Sequence, residues 1–431
     1  MGAEAIVTTA AQTSRAEQTE LTRERIVAAA RRLFTAHGYR AVSLRDIAAE
    51  AGVTHPGLLR HFSGKDELLD VVLQEFDLSN DTRSWERLAA EADGALPFSA
   101  AAERNALIPG YLPLFAGLVG EASISAHPAH AAMRGHAERF APVAREVIGT
   151  AISDGAVATD RDADGEALRL MAAWDALQVV QLYLPDRVDT ASVIAEHERL
   201  LAYPCGWRDP SEPESGHVPM PVMPPIGPEA GTETGYRSGR ERRARILSDA
   251  MALFAREGYA DTSLREIAAK VGVSKSALYH HFPSKDALLL AVLEERDRRI
   301  DTAIVALNTE SAADFLRALP DAADENARTQ PGLLEVYAVI SCEAIPAGHA
   351  AHAYFARRYA QALDSFETMF RAAASTGELP AHRDPAHEAA WLLALWDGLQ
   401  YHWLYNRDGV DVAAQLRAHL QDVLPDAAAP R

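Results

Sequence analysis

Cysteine is scarce in this 431-residue sequence, which holds only Cys205 and Cys342. Two thiols so far apart build neither a disulfide framework nor a Cys-based zinc site, and this points to a reducing compartment. Long apolar runs are missing as well. The most apolar stretch, Ala389 to Leu395, is far short of the ~20 residues of a membrane helix and is soon interrupted by Asp397. The N-terminal segment has no basic start followed by an apolar stretch, and Glu4 stands where a secretory signal would be apolar. Residues 1–20 are therefore expected to form a disordered tail on a cytoplasmic protein. Catalytic signatures are also absent. There is no Walker-type phosphate loop, Gly-x-Gly-x-x-Gly, Gly-x-Ser-x-Gly elbow or HExxH helix, and the many carboxylates and histidines have no spacing that assigns them roles. Neither an enzyme nor a bound cofactor is expected. What remains is 48% hydrophobic residues with a net charge of −19. That composition excludes wholesale disorder, and the length excludes a single small module.

The sequence repeats itself. Residues 22–77 align with 242–297 at a constant offset of 220, with 27 identities in 56 positions and no gap. Weaker similarity continues at an offset of 222, from Pro109-Gly110 against Pro331-Gly332, through Glu121 with Glu343 and His127 and His130 with His349 and His352, to Trp174-Asp175 against Trp396-Asp397. A fixed long period marks a duplicated structural unit. Between the copies, residues 202–239 hold eight prolines from Pro204 to Pro228, a composition that favours an extended linker.

Each copy opens with apolar residues at helical spacing, Ile26, Ala30, Leu33 and Phe34, matched by Ile246, Ala250, Leu253 and Phe254. Gly38 and Gly258 supply the stop. Ser-Leu-Arg-Asp at 43–46 and Ser-Leu-Arg-Glu at 263–266 are capping boxes that start a second, short helix, halted at Gly52 or Gly272. Thr54 and Ser274 then cap a third helix, predicted to run to about Phe62 and Phe282. Short helix, glycine turn, short helix is the helix-turn-helix pattern, whose second helix reads base edges in the major groove. Charge supports this. Residues 22–65 and 237–285 each carry a net +5, leaving −29 for the remainder, so two basic heads sit on acidic bodies. Arg31, Arg32, Arg242 and Arg243 are open between phosphate contact and a solvated face.

These residues, and above all the stretch GVSKSALYHHFPSKDALL at 272–289, resemble the DNA-binding head of TetR-family transcriptional regulators. The resemblance implies an all-α protein of two TetR-like halves. The first has a head at 21–66 and a helical effector and dimerisation body at 67–201; the second has a head at 240–286 and a body at 287–425. Where the family pairs two chains, one chain here would hold both protomers as a pseudodimer. Segments 165–184 with 189–201, and 386–405 with 410–424, are the candidates for the internal boundary. The implied partners are an operator in double-stranded DNA and a small-molecule effector, the implied action that of a ligand-released repressor. A regulator without an effector, constitutive or controlled by a protein partner, is the alternative.

Carried over by position, the DNA contacts of the second head are Arg265, Ser274, Lys275, Ser276, Tyr279, His280 and Lys285. Those of the first are Arg45, Thr54, His55, Arg60 and Lys65, with Pro56 and Leu59 at matching places. Two different recognition helices predict an asymmetric operator. The other reading gives the first head phosphate contacts only. In the bodies, Trp174, Gln178, Trp396 and Gln400 combine apolar surface with polar tips and are the candidate ligand residues, although aromatics at helical spacing also serve core and interface. His127 with His130, and His349 with His352, have a spacing that fits a metal, but a proline divides the first pair and no third ligand stands out, so loop or helix-start roles are expected and no metal.

Overall fold

The computed structural model describes residues 3–79, 88, 95–212, 216, 219–222, 237–257, 259, 263–306, 309–329 and 331–425. Among these residues the chain forms α-helices and no β-strand, with one isolated bridge between Pro219 and Ser311. The first half comprises α1 (Ala3–His37), α2 (Leu44–Glu50), α3 (His55–Leu58), α4 (Lys65–Ser79), α5 (Phe98–Leu107), α6 (Tyr111–Glu121), α7 (His130–Ser153), α8 (Ala163–Tyr183) and α9 (Thr190–Leu200). The second half repeats this order as α10 (Arg237–Glu257), α11 (Leu264–Val271), α12 (Lys275–His281), α13 (Lys285–Ala306), α14 (Ala312–Thr329), α15 (Pro331–Glu343), α16 (His352–Ser375), α17 (Pro385–Tyr405) and α18 (Val412–Val423). No described helix is long and apolar enough to cross a membrane.

Helix α1 begins at Ala3, so the first residues, expected as a loose tail, continue a helix. The reason is local: residues 3–37 contain neither proline nor glycine. Its inner face buries Ile26, Ala30 and Phe34 against Ile47, Leu58 and Phe62. Both capping boxes form. The Ser43 amide donates to Asp46 Oδ2 at 2.9 Å while Asp46 N–H returns to Ser43 Oγ at 3.3 Å, and Ser263 and Glu266 do the same at 2.8 and 3.2 Å. Gly38 closes α1 with φ 78°, and Gly52 and Gly272 turn the chain with φ 67° and 71°, a conformation that favours glycine. Gly258, expected to close α10, lies outside the described residues.

The halves pack against each other through matched helices. The most extensive contact joins α8 to α17, and a second joins α6 to α15. The pairing of α8 with α17 agrees with the boundary segments expected from sequence, whereas α6 with α15 was not foreseen. The terminal helices contribute less across the boundary: α9 lies mainly on α5, and α18 mainly on α14. Two equivalent bonds sew the boundary, from the Tyr183 hydroxyl to the Ser341 carbonyl (2.6 Å) and from the Tyr405 hydroxyl to the Val119 carbonyl (3.1 Å).

Elsewhere the boundary is unequal. Gly120 faces its own counterpart, Cys342: a Cβ on Gly120 would lie 2.5 Å from the Cys342 Sγ, so only one side can carry a side chain. Buried Arg161 and Arg383 occupy equivalent positions and each binds its own glutamate, Glu166 at 2.9 Å and Glu388 at 2.8 Å. Both also reach one carboxylate, Asp422, at 3.2 and 2.8 Å, whose counterpart in the first half is Leu200.

The described part of the proline-rich segment does not stand free. Gly206 N–H donates to Asp422 Oδ1 (2.8 Å), Arg208 reaches the Gly377 and Glu378 carbonyls, and Gly216 and Met220 amides donate to Thr376 and Glu310 carbonyls at 2.7 and 3.0 Å. This stretch lies along the second body. Extended backbone leaves its amides unpaired, and the body's carbonyls accept them. Residues 213–215, 217–218 and 223–236 of the expected linker fall outside the described residues.

Candidate nucleic-acid interface and ligand cavity

The two recognition segments differ in length as well as in side chains. Helix α12 runs from Lys275 to His281 beneath its Ser274 cap, which accepts from the Ala277 amide at 3.1 Å. Helix α3, capped by Thr54 through the Gly57 amide at 3.1 Å, ends at Leu58. It was predicted to reach about Phe62. After Leu58 the Arg60 amide turns back to Gly57 and the His61 amide to Leu58, a tighter three-residue pattern. Pro56 offers no amide and Gly57 weakens the helix, so α3 has little to propagate on.

Outward, α12 exposes Lys275, Ser276, Tyr279 and His280, with Lys275 Nζ over the Tyr279 ring at 5.4 Å. Arg265 is exposed on the crossing helix α11, as is Arg45 on α2. The first head exposes Thr54 and Arg60, with His55 half-buried, and shows Leu59 where the second shows Tyr279. Leu59 is a large apolar side chain that stands 44% exposed.

Lys65 and Lys285, expected among the DNA contacts, turn inward. Lys65 Nζ donates to the Tyr39 and Val42 carbonyls at 3.0 and 2.9 Å and sits 4.2 Å from the Tyr39 ring centre; Lys285 binds the Tyr259 carbonyl at 2.8 Å and lies 4.1 Å from that ring. Each lysine thus locks the turn between the first two helices of its head. Arg32 pairs with Glu50 and Arg31 with Glu75, and Arg243 lies over the Phe282 ring.

Head meets body at the same tyrosines. Tyr39 packs edge-on against His127, and Tyr259 against His349, both at 5.2 Å. The two imidazoles accept from the amides of Ala129 and Ala351, at the starts of α7 and α16. Burial pushes the His127 pKa down to about 3 and the His349 pKa down to about 4. His130 and His352 donate through Nδ1 to the Ala122 and Ala344 carbonyls and stand against Tyr405 and Tyr183 of the opposite half. These four histidines bind backbone groups near helix ends and pack between elements, and no group of three or more ligating side chains among the described residues could hold a metal ion.

The first body holds a pocket of about 760 Å³ that is partly open to solvent. Its walls combine apolar and aromatic side chains, among them Tyr111, Phe115, Met133, Phe140, Met171 and Trp174, with the charged Arg134, Glu138, Arg145 and Asp164. Gln178 and Asn105 line it as buried amides, and neither the Gln178 Oε1 nor the Asn105 Oδ1 has a hydrogen-bond partner. The second half supplies His402, Tyr405 and Asn406. His402 Nε2 donates to Asp175 Oδ2 across the boundary at 3.0 Å.

Family comparisons bear on the heads. The model of bacterial regulatory proteins of the tetR family matches twice, at residues 26–72 and 246–292, and the model of the BetI-type transcriptional repressor C-terminal region matches residues 343–427. The transcriptional repressor KstR of Mycolicibacterium smegmatis is 30% identical over 190 residues, which is 43% of this chain and 88% of KstR. The chain belongs to the TetR family. TetR proteins are transcriptional regulators, not enzymes. Other relatives match less of their length: YerO and YuxN of Bacillus subtilis are 48% and 41% identical over segments that span 19% and 24% of those proteins, and 12% and 16% of this chain. Among solved structures, a regulator from Saccharomonospora viridis in complex with choline is 26% identical with a TM-score of 0.38, over 42% of this chain and 95% of its own. AibR in complex with isovaleryl coenzyme A and operator DNA is 24% identical with a TM-score of 0.35, over 43% of this chain and 98% of its own.

On this TetR framework, two of the four ligand candidates, Trp174 and Gln178, line the cavity; Trp396 and Gln400 do not. Sequence reasoning missed Asn105 and His402. Asn105 is a lone amide on a short helix. His402 joins the site only because α17 crosses α8, and its counterpart is Val180, so the repeat gave no signal.

Proposed function

We propose that this chain is a sequence-specific DNA-binding regulator that works as its own dimer. Its divisions are a head at 21–66 and body at 67–201, a linker at 202–239, then a head at 240–286 and body at 287–425. The observation that carries the reading is the pair of exposed recognition segments, α3 and α12, on two basic heads whose bodies pack along α8 and α17 within one chain. A twofold reader needs two heads at fixed separation, and the fused bodies supply it at any dilution.

The operator is asymmetric on this reading. Lys275, Ser276, Tyr279 and His280 present donors and an aromatic ring to the groove, with Arg265 and Ser274 beside them. His55, Arg60 and Leu59 present a different edge, with Arg45 and Thr54 beside them. Lys65 and Lys285 shape their heads instead of contacting DNA. A small molecule in the body would favour the head spacing that does not fit DNA, so ligand and operator oppose each other. Repression as the outcome is supported by the repressor-type C-terminal match and by KstR.

Selection from a random duplex library at stated salt, followed by footprinting, tests this. Lys275→Ala with Tyr279→Ala should erase protection on one half-site, and His55→Ala with Arg60→Ala on the other. Symmetric loss from either pair, or no preference over bulk competitor, refutes the reading.

A further inference from the structure

The cavity of the first body has no room for a twin in the second. At the repeat offset, Met133 and Ala137 of the cavity wall correspond to Phe355 and Tyr359, both fully buried. Tyr359 extends its hydroxyl to Asp397 Oδ2 at 3.0 Å. His136 corresponds to Arg358, which binds Asp297 at 3.3 Å, and Asp297 also accepts from Tyr354 at 2.5 Å. Phe115 corresponds to Tyr337, covered by the Arg296 guanidinium 3.6 Å from its ring centre. A buried Arg–Asp–Tyr cluster therefore fills the second body where the first is hollow. The difference also reaches the paired aspartates: Asp397 is held by Tyr359 of its own body, while Asp175 faces the cavity and is held by His402 of the other half.

The hollow side is chemically incomplete. Gln178 and Asn105 are 3% and 6% exposed and their orphaned oxygens line the pocket, whereas the Gln400 Oε1, orphaned likewise at the matching place of the second half, lies outside it. A buried acceptor without a donor costs free energy that a bound molecule can recover by supplying one. We propose that the chain has one effector site, in the first half, completed by His402, Tyr405 and Asn406 of the second. It takes a single mainly apolar molecule bearing a hydroxyl or N–H donor for Asn105 and Gln178. The inference rests on the reading of the chain as a ligand-responsive regulator. One site can still address both heads. Helix α6 lines the cavity with Tyr111, Phe115 and Val119 and packs on α15, whose Glu343 binds the Tyr259 amide of the second head at 2.8 Å.

The full-length protein titrated with N-phenyl-1-naphthylamine, an apolar fluorophore with one N–H donor, tests the assignment. Fluorescence should saturate at one probe per chain. Ala137→Tyr, which copies the second body's side chain into the first, should weaken binding at least about tenfold, while Tyr359→Phe leaves it unchanged. Gln178→Leu should weaken binding several-fold and raise the melting temperature, because it removes an unmatched buried oxygen. That opposition of binding and stability is not expected of a merely structural residue, and it serves should Ala137→Tyr fail to fold. Two probes per chain, no saturable binding, or undiminished binding in a folded Ala137→Tyr or in Gln178→Leu overturns the one-site assignment. Separately, if one probe binds as expected but no small apolar donor-bearing compound changes operator affinity, the site stands and the ligand-released reading falls.

Discussion

Replacing Gly398 by alanine should destabilise the protein, even though alanine is the better helix former. Gly398 lies in α17 where it crosses α8. A Cβ built there would be 3.0 Å from the Ala172 Cα and nearer still to that residue's carbonyl carbon and oxygen. Ordinary carbon contacts lie at ~3.5–4.0 Å, so the nearer carbonyl carbon forces the two backbones apart by about 1.5 Å. Backbone cannot rotate aside as a side chain can, and the separation runs along the largest contact between the halves. Overpacking a filled core costs about 1–3 kcal/mol, occasionally more, against about 1 kcal/mol gained in helix propensity, so a net loss of about 2 kcal/mol is expected at the upper end. Gly149→Ala in α7 is the control, because nothing stands within 4 Å of its added Cβ. There, propensity acts alone and should stabilise by about 1 kcal/mol. For a cooperative unit of this size the two variants should melt roughly 3–6 °C apart, read by circular dichroism or calorimetry. If Gly398→Ala melts at or above Gly149→Ala, the helices do not touch at this point and the packing of the halves is wrong.

Asp422→Asn should cost about 3–5 kcal/mol in chemical denaturation, the usual penalty for breaking a buried ion pair, because Arg161 and Arg383 share that carboxylate. Burial raises the Asp422 pKa, but Arg383 and Arg161 hold it below the usual carboxylate range, so the contribution is present above pH ~4 and lost as pH falls through the lowered value. A near-neutral variant would show that the network is solvated. Burial also pushes the His419 pKa down to about 3, like that of His127. An unfolded histidine titrates near 6.5, so the unfolded chain takes up protons that the native state refuses. Stability should be complete above that pH and fall toward pH 4, by up to about 1.4 kcal/mol per pH unit for each such ring. Denaturation series at pH 7 and pH 5 check the sign, and greater stability at pH 5 contradicts the burial. Ser43→Ala and Ser263→Ala should each cost about 1 kcal/mol through loss of a helix cap, visible as faster amide exchange in α2 or α11; unchanged exchange would mean the caps are idle.

Much of this architecture is legible along the chain because its signals are local. The capping boxes at Ser43 and Ser263, the left-handed glycines and the spacing of Ile26, Ala30 and Phe34 each act within a few residues, so they specify two three-helix heads before any tertiary contact forms. The repeat itself, and the differences between His55 and Lys275 or Leu59 and Tyr279, can be read by counting. Even so, the inward turn of Lys65 and Lys285 escapes such counting, because nothing along the chain tells that the Tyr39 and Tyr259 carbonyls come within their reach.

What tertiary structure alone decided concerns residues far apart in sequence. Gly120 and Cys342 look like ordinary divergence until α6 meets α15, and Asp422 looks like a surface acid until both arginines converge on it. Nor does the repeat tell which half is hollow. Ala137 and Tyr359 are each acceptable on an apolar helix face, and only the volume enclosed between helices turns one into a cavity wall and the other into its filling. Periodicity fixes which face of a helix is buried; what lies opposite that face is settled by packing.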